Sequence, residues 1–103
     1  MNITPRSARN NVYKVLEKHG ISCSSSYWRI LCDLILYLYE NKGATVKEAC
    51  DKVSKEYKTT SASLQMRAQR ALQSSPYYTP ENRPSFKEFL VGCVNELVMM
   101  EDA

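Results

Sequence analysis

Residues 45–73 read TVKEACDKVSKEYKTTSASLQMRAQRALQ, and this stretch decides the fold class. Thr45, followed three residues later by Glu48, is the capping-box pairing that satisfies unpaired amides at a helix start. Val46, Ala49, Cys50 and Val53 recur at helical spacing and make an inner stripe. That helix is expected to end at Tyr57 or Lys58, because Thr59, Thr60 and Ser61 are poor helix interiors and good caps. A second amphipathic pattern begins at once, over about 61–74. At 100° per residue, Leu64, Ala68, Ala71 and Leu72 fall on its buried side, with Ala62, Met66, Gln69 and Gln73 opposite. Ser63, Gln65 and Arg70 flank that outer side. Two short helices with a tight turn between them, at about 45–74, fit an ordinary helical hairpin and the framework of a helix-turn-helix equally well on periodicity alone.

The rest of the chain reads as helices packed around this pair. A first helix opens with Thr4 as cap and Pro5 in the first helical position, and stops at Gly20. Ala8, Val12, Val15 and Leu16 line its inner side, and Arg6, Arg9, Lys14 and Lys18 its outer side. After ISCSSS, a helix from about Ser25 to Asn41 carries Trp28, Leu31, Cys32, Leu34, Ile35, Leu36 and Leu38 over most of its circumference, with Tyr37 and Tyr39 at the margins. A helix that is apolar nearly all round belongs at the centre. The segment SSPYYTPENRP holds three of the four prolines and reads as a loop held down by Tyr77 and Tyr78. A last helix, about 85–100, starts with Ser85 and Glu88 as a second capping box. Phe86, Phe89, Leu90, Cys93, Val94 and Leu97 form its stripe, and Val98, Met99 and Met100 carry apolar character beyond it. No stretch alternates as a strand does. The expected architecture is all-α, a single compact five-helix domain over 1–103.

Composition narrows the function. The chain has 103 residues and its longest unbroken apolar run, Leu34 to Tyr39, spans six, far short of the roughly 20 that a membrane helix needs. The amino end, MNITPRSARN, has no apolar middle for a signal peptide, so the expectation is a cytoplasmic protein. Cysteines at 23, 32, 50 and 93 lack the close paired spacing of a zinc site, and neither a metal nor another cofactor is expected. Cys32, Cys50 and Cys93 read as small buried residues, whereas Cys23 sits in a polar turn, where His19 is the one base near it. There is no glycine-rich phosphate loop, no histidine pair and no serine between strand and helix, so no enzyme and no small-molecule substrate are expected.

Charge is uneven along the chain. The net charge is +3; residues 1–20 and 45–73 each carry a net +3, residues 21–44 are neutral, and residues 74–103 carry −3. Such polarity suits a basic face for phosphates, apart from an acidic final helix. Small and amide side chains suit a helix that enters a major groove: Gln pairs with adenine edges, Ser meets bases or phosphates, and Ala or Met methyls lie against thymine. The base-reading candidates are therefore Ala62, Ser63, Gln65, Met66, Gln69, Arg70 and Gln73. The backbone-contact candidates are Lys47, Lys55, Lys58, Thr59, Thr60, Ser61 and Arg67, with double-stranded DNA as the partner.

The segments HGISCSSSYWRILCDLILYLYE, TVKEACDKVSKEYKTTSASLQMRAQRALQ and SFKEFLVGCVNEL resemble the carboxy-terminal effector domain of the master sporulation response regulator of endospore-forming bacteria. The likeness covers nearly the whole chain. It is most specific at Gly20-Ile21, at the turn Lys55-Glu56-Tyr57-Lys58-Thr59-Thr60, and at the closing helix with Phe86 or Phe89 near its start. The resemblance implies an all-helical helix-turn-helix protein without a wing that binds promoter sites, often as tandem copies, and activates or represses transcription. Where the family's recognition helix has arginine, apolar, glutamate, arginine, this chain has Ser63, Leu64, Gln65, Met66, and Arg70 stands where the family has histidine. The family's receiver domain is absent from this sequence.

A second expectation uses the same fold as an interaction or dimerisation module. Its contact residues would be Phe89, Val98, Met99 and Met100 on the final helix, since methionine-bearing surfaces adapt to partners.

Overall fold

Helix α2 (Trp28–Glu40) buries Ile30, Leu31, Cys32, Leu34, Ile35 and Leu36, side chains on several sides of one rod, so it requires neighbours all round. In the computed structural model it has them. The structure describes residues 5–21 and 27–101, with side chains from Ala8 onward. Helices α1 (Pro5–Lys18), α3 (Val46–Glu56), α4 (Ser61–Gln73) and α5 (Phe86–Glu101) complete the order, and α2 packs against each of the other four. No strand occurs among the described residues. The Cα radius of gyration is 12.9 Å, matching the about 13 Å of a folded 100-residue domain. The fold is thus the expected all-α, five-helix domain. The assignments to Thr4, the Arg6 side chain, Cys23 and the helix start at Ser25 lie outside the described residues.

Helix ends follow local chemistry. The Thr45 hydroxyl oxygen accepts from the Glu48 amide at 3.1 Å, and the Thr60 hydroxyl oxygen from the Ser63 amide at 3.1 Å. At α5 the Ser85 hydroxyl oxygen accepts from the Glu88 amide, while Glu88 Oε1 accepts from the Ser85 amide. Helix α1 ends in a Schellman motif: Ile21 N donates to Leu16 O at 2.9 Å and Gly20 N to Glu17 O at 3.0 Å. Gly20 takes φ +79°, and a Cβ there would stand 2.7 Å from Ser75 Oγ and 3.1 Å from the Tyr77 ring.

Two side-chain ties join distant segments. Arg9 does not point away from the protein as its helical phase suggests. Its Nη2 reaches Asp33 Oδ1 at 3.2 Å, because α2 offers a half-buried carboxylate within reach. The second tie centres on His19, with Nε2 at 2.7 Å from Glu96 Oε2 and Nδ1 at 2.7 Å from the Tyr78 hydroxyl. A carboxylate only accepts, so in the neutral ring Nε2–H donates to Glu96 and Nδ1 accepts from Tyr78. Lys18 Nζ adds a bond to Glu96 Oε1 at 2.9 Å. Tyr78 thereby fastens the 74–85 connection, while Tyr77 stays largely exposed.

Cys32, Cys50 and Cys93 are free thiols and all are buried. Burial pushes Cys32 and Cys93 up to about 12, with the carboxylates of Asp33 and Glu96 adding to the respective rise. No described helix is long and apolar enough to cross a membrane.

Candidate nucleic-acid interface

The connection between α3 and α4 is closed by a second Schellman motif. Thr59 N donates to Ser54 O at 3.0 Å and Lys58 N to Lys55 O at 3.3 Å, which puts Lys58 at the left-handed position with φ 54°. Glycine is the usual residue there; a lysine carries the steric cost of its Cβ. The turn is held to the core by Tyr57, whose hydroxyl donates to Asp33 Oδ2. Arg9 holds the other oxygen of the same carboxylate. Burial pushes the Tyr57 hydroxyl up, and the neighbouring Asp33 carboxylate pushes it further.

Helix α4 packs chiefly on α3 and α2. Leu64, Ala68, Ala71 and Leu72 are buried, as their spacing requires. The opposite side faces solvent: Ala62, Met66, Arg70 and Gln73 are exposed, and Met66 is 54% exposed. Arg70 Nη2 lies 3.8 Å from Met66 Sδ, one turn earlier, so the guanidinium lies along this face. Ser63, Gln65, Arg67 and Gln69 are half-buried at its edges. The helix carries two arginines and no carboxylate. All seven base-reading candidates therefore lie on or beside one accessible surface.

The backbone candidates divide. Lys55 and Lys58 are exposed beside the turn, with Thr59 and Ser61 half-buried between them and α4. Thr60 is occupied as the α4 cap, its oxygen already accepting from Ser63 N. Lys47 is at the far end of α3, eight residues or about 12 Å along the axis from Lys55. It lines a different surface with Lys42 and Lys87, so the structure does not bring it to the turn. The mixed outer side of α3 also bears exposed Glu48, Asp51 and Glu56.

On α5 the structure corrects one assignment. Phe89 is 3% exposed, packed inside with its ring near the edge of His19, and is a core residue with nothing to offer a partner. Val98, Met99 and Met100 are exposed as expected, at 38%, 70% and 37%. Val91, at 44%, joins them, although the sequence reading passed over it. Its signal was the spacing of Val91, Val94 and Val98, hidden inside a helix that is apolar on two sides.

His19, Cys93 and Glu96 place three metal-capable atoms within 4.8 Å of one another. His19 and Glu96 are bonded to each other, and the Cys93 thiol beside them is buried. Cys23, to which His19 is the base nearest in sequence, lies outside the described residues, and both His19 ring nitrogens are engaged elsewhere. Comparison with protein-family models, curated proteins and solved structures finds no match to this chain.

Proposed function

We propose that this chain is a sequence-specific DNA-binding transcriptional regulator of the cytoplasm, in which α3 and α4 form a helix-turn-helix and α4 enters the major groove. The observation that carries this reading is the outer side of α4. It is solvent-facing, free of carboxylates, and lined with amide, hydroxyl, methyl and guanidinium groups. Gln65, Gln69 and Gln73 would read adenine edges, and Ala62 and Met66 would lie against thymine methyls. Arg70 would take a guanine or a phosphate. Lys55, Lys58 and Arg67 would hold the sugar-phosphate chain, with the open amides at the start of α4 adding a favourable dipole. The resemblance to the sporulation effector domain supports the same reading and makes sporulation genes the natural first targets.

Fluorescence anisotropy with labelled duplexes selected from a random pool tests it. Three cationic backbone contacts predict a slope of log affinity against log salt of about −3, and Lys58→Ala should flatten it by about one unit. Gln69→Ala should relax preference at one base pair by roughly 1–3 kcal/mol. Binding that is absent, or indifferent to salt between about 50 and about 200 mM, would retire the reading.

A further inference from the structure

Helix α5 carries two apolar faces, and the core uses only one. Phe89, Leu90, Cys93 and Leu97 are buried. A second line runs Lys87, Val91, Val94, Val98, Glu101, spaced four, three, four and three residues apart. That alternation keeps side chains along one seam of a helix meeting another helix. Lys87, Val91, Val94 and Val98 of this line form one wall of an open groove of about 680 Å³, with Leu38 and Tyr39 from α2 and Val46 from α3 opposite. Lys42, Lys47 and Lys87 stand among its lining residues, and no carboxylate does. Glu101 sits at the far end of the line, close enough to Tyr39 to raise its hydroxyl, which burial already pushes up.

An apolar floor between lysines fits an amphipathic helix bearing acid. The chain itself possesses one, since the α5 seam exposes Val91 and Val98 and ends in Glu101, opposite in charge to the Lys87 at its start. Lys87 and Glu101 each lie seven residues from Val94, about 21 Å apart on the helix axis. The line is therefore complementary to its own reversed copy. We propose that the groove receives α5 of a second copy of this chain, antiparallel, about a two-fold axis at Val94. Lys87 of each copy then meets Glu101 of the other, and Val91 and Val98 close over one another. A parallel pairing would oppose like charges at both ends, so the orientation is fixed by the sequence. One surface patch used twice is the arrangement of a closed dimer. Met99 and Met100 lie on another flank, with Lys14 and Lys18, and stay outside the contact. Helix α4 packs on α3 and α2, so its outer side remains open in the pair.

The inference stands independently of DNA binding, and its test uses the full chain without DNA. Sedimentation equilibrium from micromolar to near-millimolar protein should show a concentration-dependent dimer. Val91→Asp with Val98→Asp should give a monomer throughout, with an unchanged helical circular-dichroism signal. Lys87→Glu and Glu101→Lys should each weaken the dimer by about fivefold or more, and the two together should restore it. A wild-type chain that stays monomeric across the range overturns the proposal, as does a dimer that survives the valine changes. Failure of the double charge reversal to recover what each single reversal loses also overturns it, and that series decides the matter if the valine variants unfold.

Discussion

Two residues hold the same place in the backbone and are chemically opposite. Gly20 and Lys58 both close a helix at a left-handed position, with φ of 79° and 54°. Glycine is needed at the first, because the backbone there is left-handed and Ser75 Oγ fills the space that a side chain would take. Gly20→Ala should therefore destabilise by about 1–3 kcal/mol, whereas Lys58→Gly should stabilise by about 0.5–1 kcal/mol, both read from urea unfolding midpoints. The opposite signs isolate the steric cost that a Cβ carries at each turn. If Lys58→Gly proves destabilising, the strain argument at that turn is wrong.

At the level of elements, the α3–α4 turn owes its position to an interaction from outside itself. Tyr57 reaches Asp33 on α2, and Arg9 on α1 braces the same carboxylate. Tyr57→Phe should cost roughly 1–2 kcal/mol in thermal or chemical unfolding. It should also raise amide exchange at Lys58 and Thr59 more than in α5, since the lost bond pins the turn. The same contrast explains what the sequence disclosed. Thr45 with Glu48, Thr60 with Ser63, and Ser85 with Glu88 lie three residues apart, so their caps were legible from local order. Arg9 with Asp33 and His19 with Glu96 are separated by 24 and 77 residues, and no periodicity announces such partners. Helix α5 fell between these cases. Its apolar residues were plain, but two apolar sides compete for one core, and only the packing of α1 and α2 assigns Phe89 inward and Val91 outward. Likewise the outer side of α4 was legible from phase alone, whereas the distance of Lys47 from the turn needed the length of α3.

Across the whole molecule, α2 is the hub and the two surfaces of interest sit on separate flanks, the outer side of α4 and the valine seam of α5. Closure of the far end depends on Glu96, which draws together α1, the proline-rich connection and α5 through His19 and Lys18. Burial alone would raise the Glu96 carboxyl, yet the bonds from His19 and Lys18 outweigh it and hold the group below its ordinary 4.5. A carboxylate held low in the folded state adds stability above that ordinary value and loses it as pH falls through the lowered one. Glu96→Gln should thus lower the thermal midpoint near neutrality and flatten its fall below about pH 4.5, seen in calorimetric scans across pH. An undiminished acid slope in the variant would show that other groups govern it. The three enclosed sulfhydryls, Cys32, Cys50 and Cys93, bring a further consequence. They are inaccessible and resist ionising, so an alkylating reagent meets them only when the interior breathes. Site-resolved mass spectrometry of the labelled chain then times that breathing separately at α2, α3 and α5, using clocks already embedded in the polypeptide.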